Sequence, residues 1–267
     1  MNRHVSDRLA SSFSSRARPT GLIPYFTAGY PSLDVTLELL RAAESTAVAA
    51  ELGIPFSDPI ADGPDIQRAC EWALSQGVAA AEVLALVARY RADGGALPII
   101  IMTYVNPILS RGLERFASDA HAAGVDAVLV TDLPADESPE VWQALDGAGL
   151  ATVMLVAPTT PPERLPLVIA RARGFVYCLS RTGVTGAGGG YAGSIEDRVR
   201  DVRHHTTLPV AVGFGIATGD QAHALRGVAD AVVVGAALMR EVARDPRAGV
   251  VERVSARVRE LCTALAG

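Results

Sequence analysis

Eight short apolar runs rich in β-favouring residues recur along the chain, at 22–27, 48–52, 98–103, 127–131, 152–156, 175–179, 209–213 and 231–235. Segments of helical period separate them, at 33–44, 80–91, 113–123, 195–205, 221–228 and, closing the chain, 248–265. Continuously apolar strands alternating with helices describe a parallel sheet covered by helices, because parallel strands need a long crossover connection. Eight such units predict an α/β fold, a (β/α)8 TIM barrel. A further helix at 5–15 precedes the first strand and is expected to plug the bottom of the barrel, and 66–73 with 80–91 suggest two helices between the second and third strands. No linker divides the 267 residues, so a single domain over 1–267 is expected.

The strands of such a barrel all point one way, so the polar and glycine-rich residues just after them gather on one face. Composition limits what that face can do. All 24 basic residues are arginine. Without lysine the chain has no Schiff-base amine, no pyridoxal-phosphate anchor and no P-loop. A net charge of −5 leaves no basic field for DNA or RNA, although a small anion could still bind locally. His4, His121, His204, His205 and His223 all fall in helical segments, so no metal site is expected on the reactive face. Cys70, Cys178 and Cys262 show no metal-ligand spacing and read as plain buried or half-buried thiols. The first ten residues lack an apolar core and no apolar stretch reaches the ~18 residues of a membrane helix, so a soluble, cytoplasmic protein is expected.

Glu51 ends an otherwise apolar strand, where an ionised carboxylate would cost several kcal/mol unless something exploits it or an arginine pairs with it. Asp62 lies in the loop IPFSDPIADGP, whose Pro55, Pro59 and Pro64 restrict the backbone and pre-position a side chain. Asp58 and Asp65 could serve similarly, although Asp65 looks like a helix cap. Glycine-rich turns follow the last three strands, SRTGVTGAGGG from Ser180, GFGI from Gly213 and VVVGAA from Val232, and together suggest a phosphate site built of backbone N–H groups. Asp132 reads either as a cap or as a partner that orders a loop, and Tyr177 as a pocket wall or as barrel filling. With neither lysine nor metal, this barrel can break a carbon–carbon bond only if the substrate supplies its own electron sink.

At these residues the sequence resembles the tryptophan synthase alpha-subunit family over nearly its whole length. The matching segments include PYFTAGYPS from Pro24, ELGIPFSDPIADGP from Glu51, MTYVNPI from Met102, DLP at Asp132, SRTGVTG from Ser180, GFGI from Gly213 and VVVGAAL from Val232. The resemblance implies a retro-aldol lyase that cleaves indole-3-glycerol phosphate to indole and glyceraldehyde 3-phosphate in tryptophan biosynthesis, with no cofactor and no metal. It implies that Glu51 shuttles the proton, that Asp62 stabilises charge at the indole nitrogen, and that Tyr177 positions both Glu51 and the ring. Tyr25, Met102, Leu129 and Phe214 would line the pocket with Thr185. Gly186, Gly215, Gly235 and Ala236 would hold phosphate, and Arg181 and Thr185 would belong to a closing lid. Pro55, Asp58, Asn106 and Pro107 would face a pyridoxal-phosphate beta subunit in an alpha2-beta2 assembly.

Three features depart from the family pattern. Ala236 replaces the usual serine and removes a hydroxyl worth ~1.5–3 kcal/mol to a charged group, enough to weaken substrate binding roughly tenfold. The turn from Glu44 to Ala47 is one residue short, which could shift Glu51, and the lid is unusually rich in glycine, which raises the entropy cost of closing it. A stand-alone indole-releasing lyase of a secondary pathway, or a weakly active subunit that activates a beta partner, are the alternative readings.

Overall fold

The computed structural model describes residues 6–15, 19–179, 194–213 and 215–266. Eight parallel strands close in sequence order: β1 (Gly21–Thr27), β2 (Ala50–Gly53), β3 (Ile99–Thr103), β4 (Ala127–Val130), β5 (Ala151–Val156), β6 (Val176–Leu179), β7 (Val210–Gly213) and β8 (Ala231–Val234). Each sits within a few residues of its expected position. Around them run α1 (Ser6–Ser15), α2 (Leu33–Ala43), α3 (Pro64–Ser75), α4 (Ala80–Ala92), α5 (Val105–Arg111), α6 (Leu113–Ala123), α7 (Pro139–Gly147), α8 (Leu165–Arg171), α9 (Ile195–Arg203), α10 (Gly219–Ala224), α11 (Ala236–Arg244) and α12 (Val250–Ala266). The two helices expected between the second and third strands are α3 and α4. The helix expected at 221–228 is shorter, because Gly227 has positive φ and the chain turns there.

Apolar side chains divide into two cores. The larger lies between the strands and the helices, and the smaller fills the barrel with Ile23, Ala49, Ile100, Ala127, Val153, Phe175, Ala211 and Ala231 among its members. One of these comes from each strand or from the residue just before it, as layered packing of a closed barrel requires. Leu9 and Phe13 of α1 join the same interior core, with the Phe13 and Phe175 rings 5.8 Å apart. The N-terminal helix therefore does plug the bottom. Ser12 Oγ donates to the Val48 carbonyl. Arg8 Nε donates to Asp126 at 2.8 Å, and the fully buried Asp126 also accepts from Arg91 and from the Ile99 backbone N–H. Asp126 thus gathers the lower rim into one hydrogen-bonded network. Cys70, Cys178 and Cys262 are free and buried.

Because Leu9 is fully buried in the barrel floor, Leu9→Ala should cost about 2–5 kcal/mol in urea unfolding, against less than about 0.5 kcal/mol for the exposed Ser11→Ala. Equal losses would show that α1 is not part of the core.

Candidate active site

The active face is the upper storey of the barrel. Two residues beyond the interior core positions, on the same side of each strand, stand Tyr25, Glu51, Met102, Leu129, Leu155, Tyr177 and Val233. All seven line one cavity of about 420 Å³. On β7 the corresponding residue is Gly213, and a Cβ there would collide with the Tyr177 hydroxyl. Gly53 likewise leaves room for the hydroxyl of Tyr25, which lies 3.2 Å from Thr27 Oγ1. The glycines let two tyrosines lie flat across neighbouring strands.

Glu51 is 1 % exposed, makes no ion pair among the described residues, and its Oε1 has no hydrogen-bond partner. Among the described residues, the buried arginine pair that the sequence left open is not formed. Burial, with a contribution from the nearby Asp62, pushes the carboxyl up to about 8. Beyond the short turn before β2, Glu51 pairs in register with Tyr25 and Ile100. That turn is secured by Glu44, whose carboxylate accepts from the Ala96 N–H at 2.6 Å.

Asp62 enters from the loop between β2 and α3. Its Oδ2 accepts from the Tyr104 hydroxyl at 2.9 Å, that hydroxyl accepts from the Ala61 N–H at 3.0 Å, and Gln67 Nε2 donates to the Asp62 carbonyl at 2.8 Å. Burial raises its carboxyl to about 6, while the bond from Tyr104 pulls the other way. Burial holds the Tyr25 and Tyr177 phenols protonated, well above their ordinary value. Near pH 7 the pair divides into a neutral Glu51 and an ionised Asp62.

Gly215, Gly235 and Ala236 line the far side of the same cavity. Gly215 has φ +82°, a conformation that suits glycine. Gly235 caps α11, and its carbonyl accepts from Leu238 and Met239, so the N–H groups of Ala236 and Ala237 have no partner within the helix. Such an end favours an anion. Phe214, Arg181, Thr185 and Gly186 lie outside the described residues. Among the described residues, no three His, Cys, Asp or Glu side chains converge to hold a metal ion.

Two expectations change. Asp65 does not cap α3: Gly63 occupies that position, and Asp65 sits in the first turn with Arg68 and Arg240 as ion partners. Pro55 is buried, so the surface of its loop is formed instead by Asp58, bonded to Ser57 at 2.5 Å, and by Ile60 at 81 % exposure. Asn106 is exposed and Pro107 half-buried at the start of α5, near Leu109 at 52 % exposure. Asp132 orders a loop, accepting from the Val105 N–H at 2.8 Å. Sequence reasoning missed Tyr104, Arg240, Leu155 and Val233. Period-two counting from Val153 and Ala231 points to the last two, whereas nothing local marks Tyr104 or Arg240.

A closed (β/α)8 barrel with two buried, raised carboxyls in one cavity beside the N-terminus of a helix is the frame of an acid–base enzyme. The family model for the tryptophan synthase alpha chain matches residues 13–266. The tryptophan synthase alpha chain of Laribacter hongkongensis is 48 % identical, covering 91 % of each chain, and that of Chromobacterium violaceum 44 % identical, covering 97 % of this chain and 99 % of the other. Among solved structures, the alpha subunit from Legionella pneumophila superposes with TM-score 0.85 at 33 % identity over 99 % of both chains. The Pyrococcus furiosus tryptophan synthase a2b2 complex contributes a chain with TM-score 0.81 at 38 % identity, covering 91 % of this chain and 97 % of that one. The chain belongs to the tryptophan synthase alpha chain family, lyases that cleave indole-3-glycerol phosphate in tryptophan biosynthesis.

A carboxyl raised from 4.5 to about 8 binds an extra proton in the folded state between those values, so its contribution to stability is present at low pH and is lost as pH rises through about 8. Glu51→Gln should therefore match the wild type in stability near pH 4 and exceed it at pH 9 by several kcal/mol, at most ~5 kcal/mol. A variant less stable than wild type at pH 9 would show that the carboxyl is satisfied there.

Proposed function

We propose that Glu51 and Asp62 divide the acid–base work of indole-3-glycerol phosphate cleavage, with Tyr177 positioning Glu51 and the ring. The observation that carries this reading is two buried carboxyls in one cavity with unlike partners, Glu51 with an unpartnered Oε1 and Asp62 accepting from the Tyr104 hydroxyl. Neutral Glu51 gives its proton to indole C3, which makes the heterocycle the electron sink. Positive charge then spreads to the ring nitrogen, whose N–H donates to ionised Asp62. Glu51, now a carboxylate in a dry site, takes the proton of the side-chain hydroxyl next to the breaking bond. The carbon–carbon electron pair returns to the ring, releasing indole and glyceraldehyde 3-phosphate, and Glu51 ends protonated as it began. Neither lysine nor metal is needed, consistent with a chain that contains no lysine.

Tyr25, Met102 and Leu129 form walls for the indole, while Gly215, Gly235 and Ala236 present N–H groups to the phosphate, joined in this reading by Gly186. Phe214, Thr185 and Arg181 lie outside the described residues, and their pocket and lid roles stand as what the family resemblance implies. In this reading a beta subunit docks on the outer residues Asp58, Asn106 and Pro107, with the exposed Ile60 and Leu109 beside them in sequence, and the Pyrococcus furiosus relative is itself an a2b2 complex. An acid–base pair this complete favours an active subunit over an inert activating one. A cytoplasmic location belongs to the same reading, and no single helix among the described residues is long and apolar enough to cross a membrane.

The profile of kcat/KM against pH should be bell-shaped, with an acid limb near 6 as Asp62 ionises and an alkaline limb near 8 as Glu51 loses its proton. Tyr104→Phe, which removes the bond that lowers the Asp62 carboxyl, should move the acid limb upward and leave the alkaline limb in place. Glu51→Gln should lower kcat by roughly 10²–10⁴-fold. Unchanged indole formation in Glu51→Gln would sink the assignment. Assaying wild type with and without a beta subunit separates a partnered subunit, accelerated by its partner, from a stand-alone lyase, which is fast alone.

A further inference from the structure

The cavity that receives a phosphorylated substrate is lined by three carboxylic residues, Glu51, Asp62 and Asp65, and among the described residues by one cation, Arg240. The backbone N–H groups of Gly215, Gly235 and Ala236 supply only partial charges, and Ala236, the first residue of α11, has no side-chain donor. A phosphate dianion held by partial charges in this field gains from a full positive charge nearby. Arg240 is placed to give it. It stands four residues after Ala236, on the same face of α11, and a helical side chain leans toward the N-terminal turn.

In the structure Arg240 is turned aside. Its Nη1 donates to Asp65 Oδ2 at 2.8 Å, yet the side chain remains 50 % exposed. Asp65 does not depend on this bond, because its other oxygen accepts from Arg68 one turn along α3. Releasing Arg240 therefore leaves no buried charge orphaned. A phosphate dianion offers a guanidinium more charge than one shared carboxylate oxygen, in a geometry that suits its planar fork.

We infer that Arg240 is a phosphate-binding residue of this site, held in reserve by Asp65 and transferred to the substrate phosphate on binding. The inference rests on the reading that phosphate occupies the Gly215–Gly235–Ala236 end of the cavity. It also makes Asp65 a competitor for the cation, so that the two partners of one ion pair have opposite effects on phosphate affinity. A purely structural bridge between α3 and α11 would give them the same sign.

The test uses glycerol 3-phosphate as a competitive inhibitor of indole formation, with indole itself as the uncharged probe. Arg240→Gln should raise the inhibition constant for glycerol 3-phosphate and the KM for substrate roughly tenfold, with a smaller fall in kcat and little change in the constant for indole. Arg240→Lys, which keeps the charge without the fork, should fall between. Asp65→Asn, which loosens the reserve, should lower the glycerol 3-phosphate constant. Arg240→Gln with wild-type affinity for glycerol 3-phosphate, or Arg240→Gln and Asp65→Asn weakening both probes alike, would overturn the role of Arg240 while leaving the phosphate site intact. If glycerol 3-phosphate fails to compete in the wild type, the phosphate site itself is misplaced and the inference falls with it.

Discussion

Everything at the active face depends on keeping one carboxyl out of water. Glu51 stands above an apolar storey that includes Ala49, Ile100 and Ala127, and the floor below is closed by Leu9 and Phe13 of α1. No counter-ion reaches it among the described residues, and in so dry a place an isolated carboxylate would cost far more than a bound proton. The group answers by holding its proton to about pH 8. Acidity that solution chemistry would have spent by pH 5 is thereby carried to neutral pH, where the proposed proton transfer to indole C3 takes place. The plug helix, the alternating storeys and the two glycines under the tyrosines all serve that dryness, although none of them need touch substrate.

The second carboxyl shows how little structural change separates the two roles. Asp62 is also buried and is also raised, but it stops near 6 because the Tyr104 hydroxyl donates to it. One hydrogen bond to the charged form favours ionisation, and the absence of any for Glu51 Oε1 favours the proton. Two like groups in one cavity are thus set apart by their surroundings, burial first and the hydrogen bond from Tyr104 second. Each then steadies the other: ionised Asp62 discourages ionisation of Glu51, and neutral Glu51 spares Asp62 a like-charge neighbour.

Much of this was legible before any coordinates. The strands could be read because a parallel barrel buries both faces of every strand, leaving continuous apolar runs that end in polar or glycine-rich turns. Glu51 stood out as the one charge in such a run, and Asp62 through the prolines that fix its loop. What could not be read depends on contacts between segments far apart in sequence. A separation of 42 residues leaves no local trace of the hydrogen bond between Asp62 and Tyr104, nor does one of 175 for Asp65 and Arg240. Asp65 was misread for a related reason: the cap is chosen by backbone conformation, and Gly63 adopts the extended geometry that the position requires.

The same loop that carries Asp62 inward carries Asp58 and Ile60 outward, and this sets how a docked subunit would be felt by the chemistry. Phe56 of that loop packs on Tyr104 with ring centroids 5.1 Å apart, and Tyr104 immediately precedes α5, which bears Asn106, Pro107 and Leu109. Asp132 fixes the start of α5 from the next strand's loop. In the proposed docking, a partner on either outer surface meets Tyr104 from two sides, and Tyr104 is bonded to Asp62 and lowers its carboxyl against the effect of burial. Misplacing a catalytic group by about 1 Å can cost on the order of 10²-fold in rate. A rim built this way makes the occupancy of the outer surface and the ionisation of the inner carboxylate parts of one mechanical unit, joined through a single phenol.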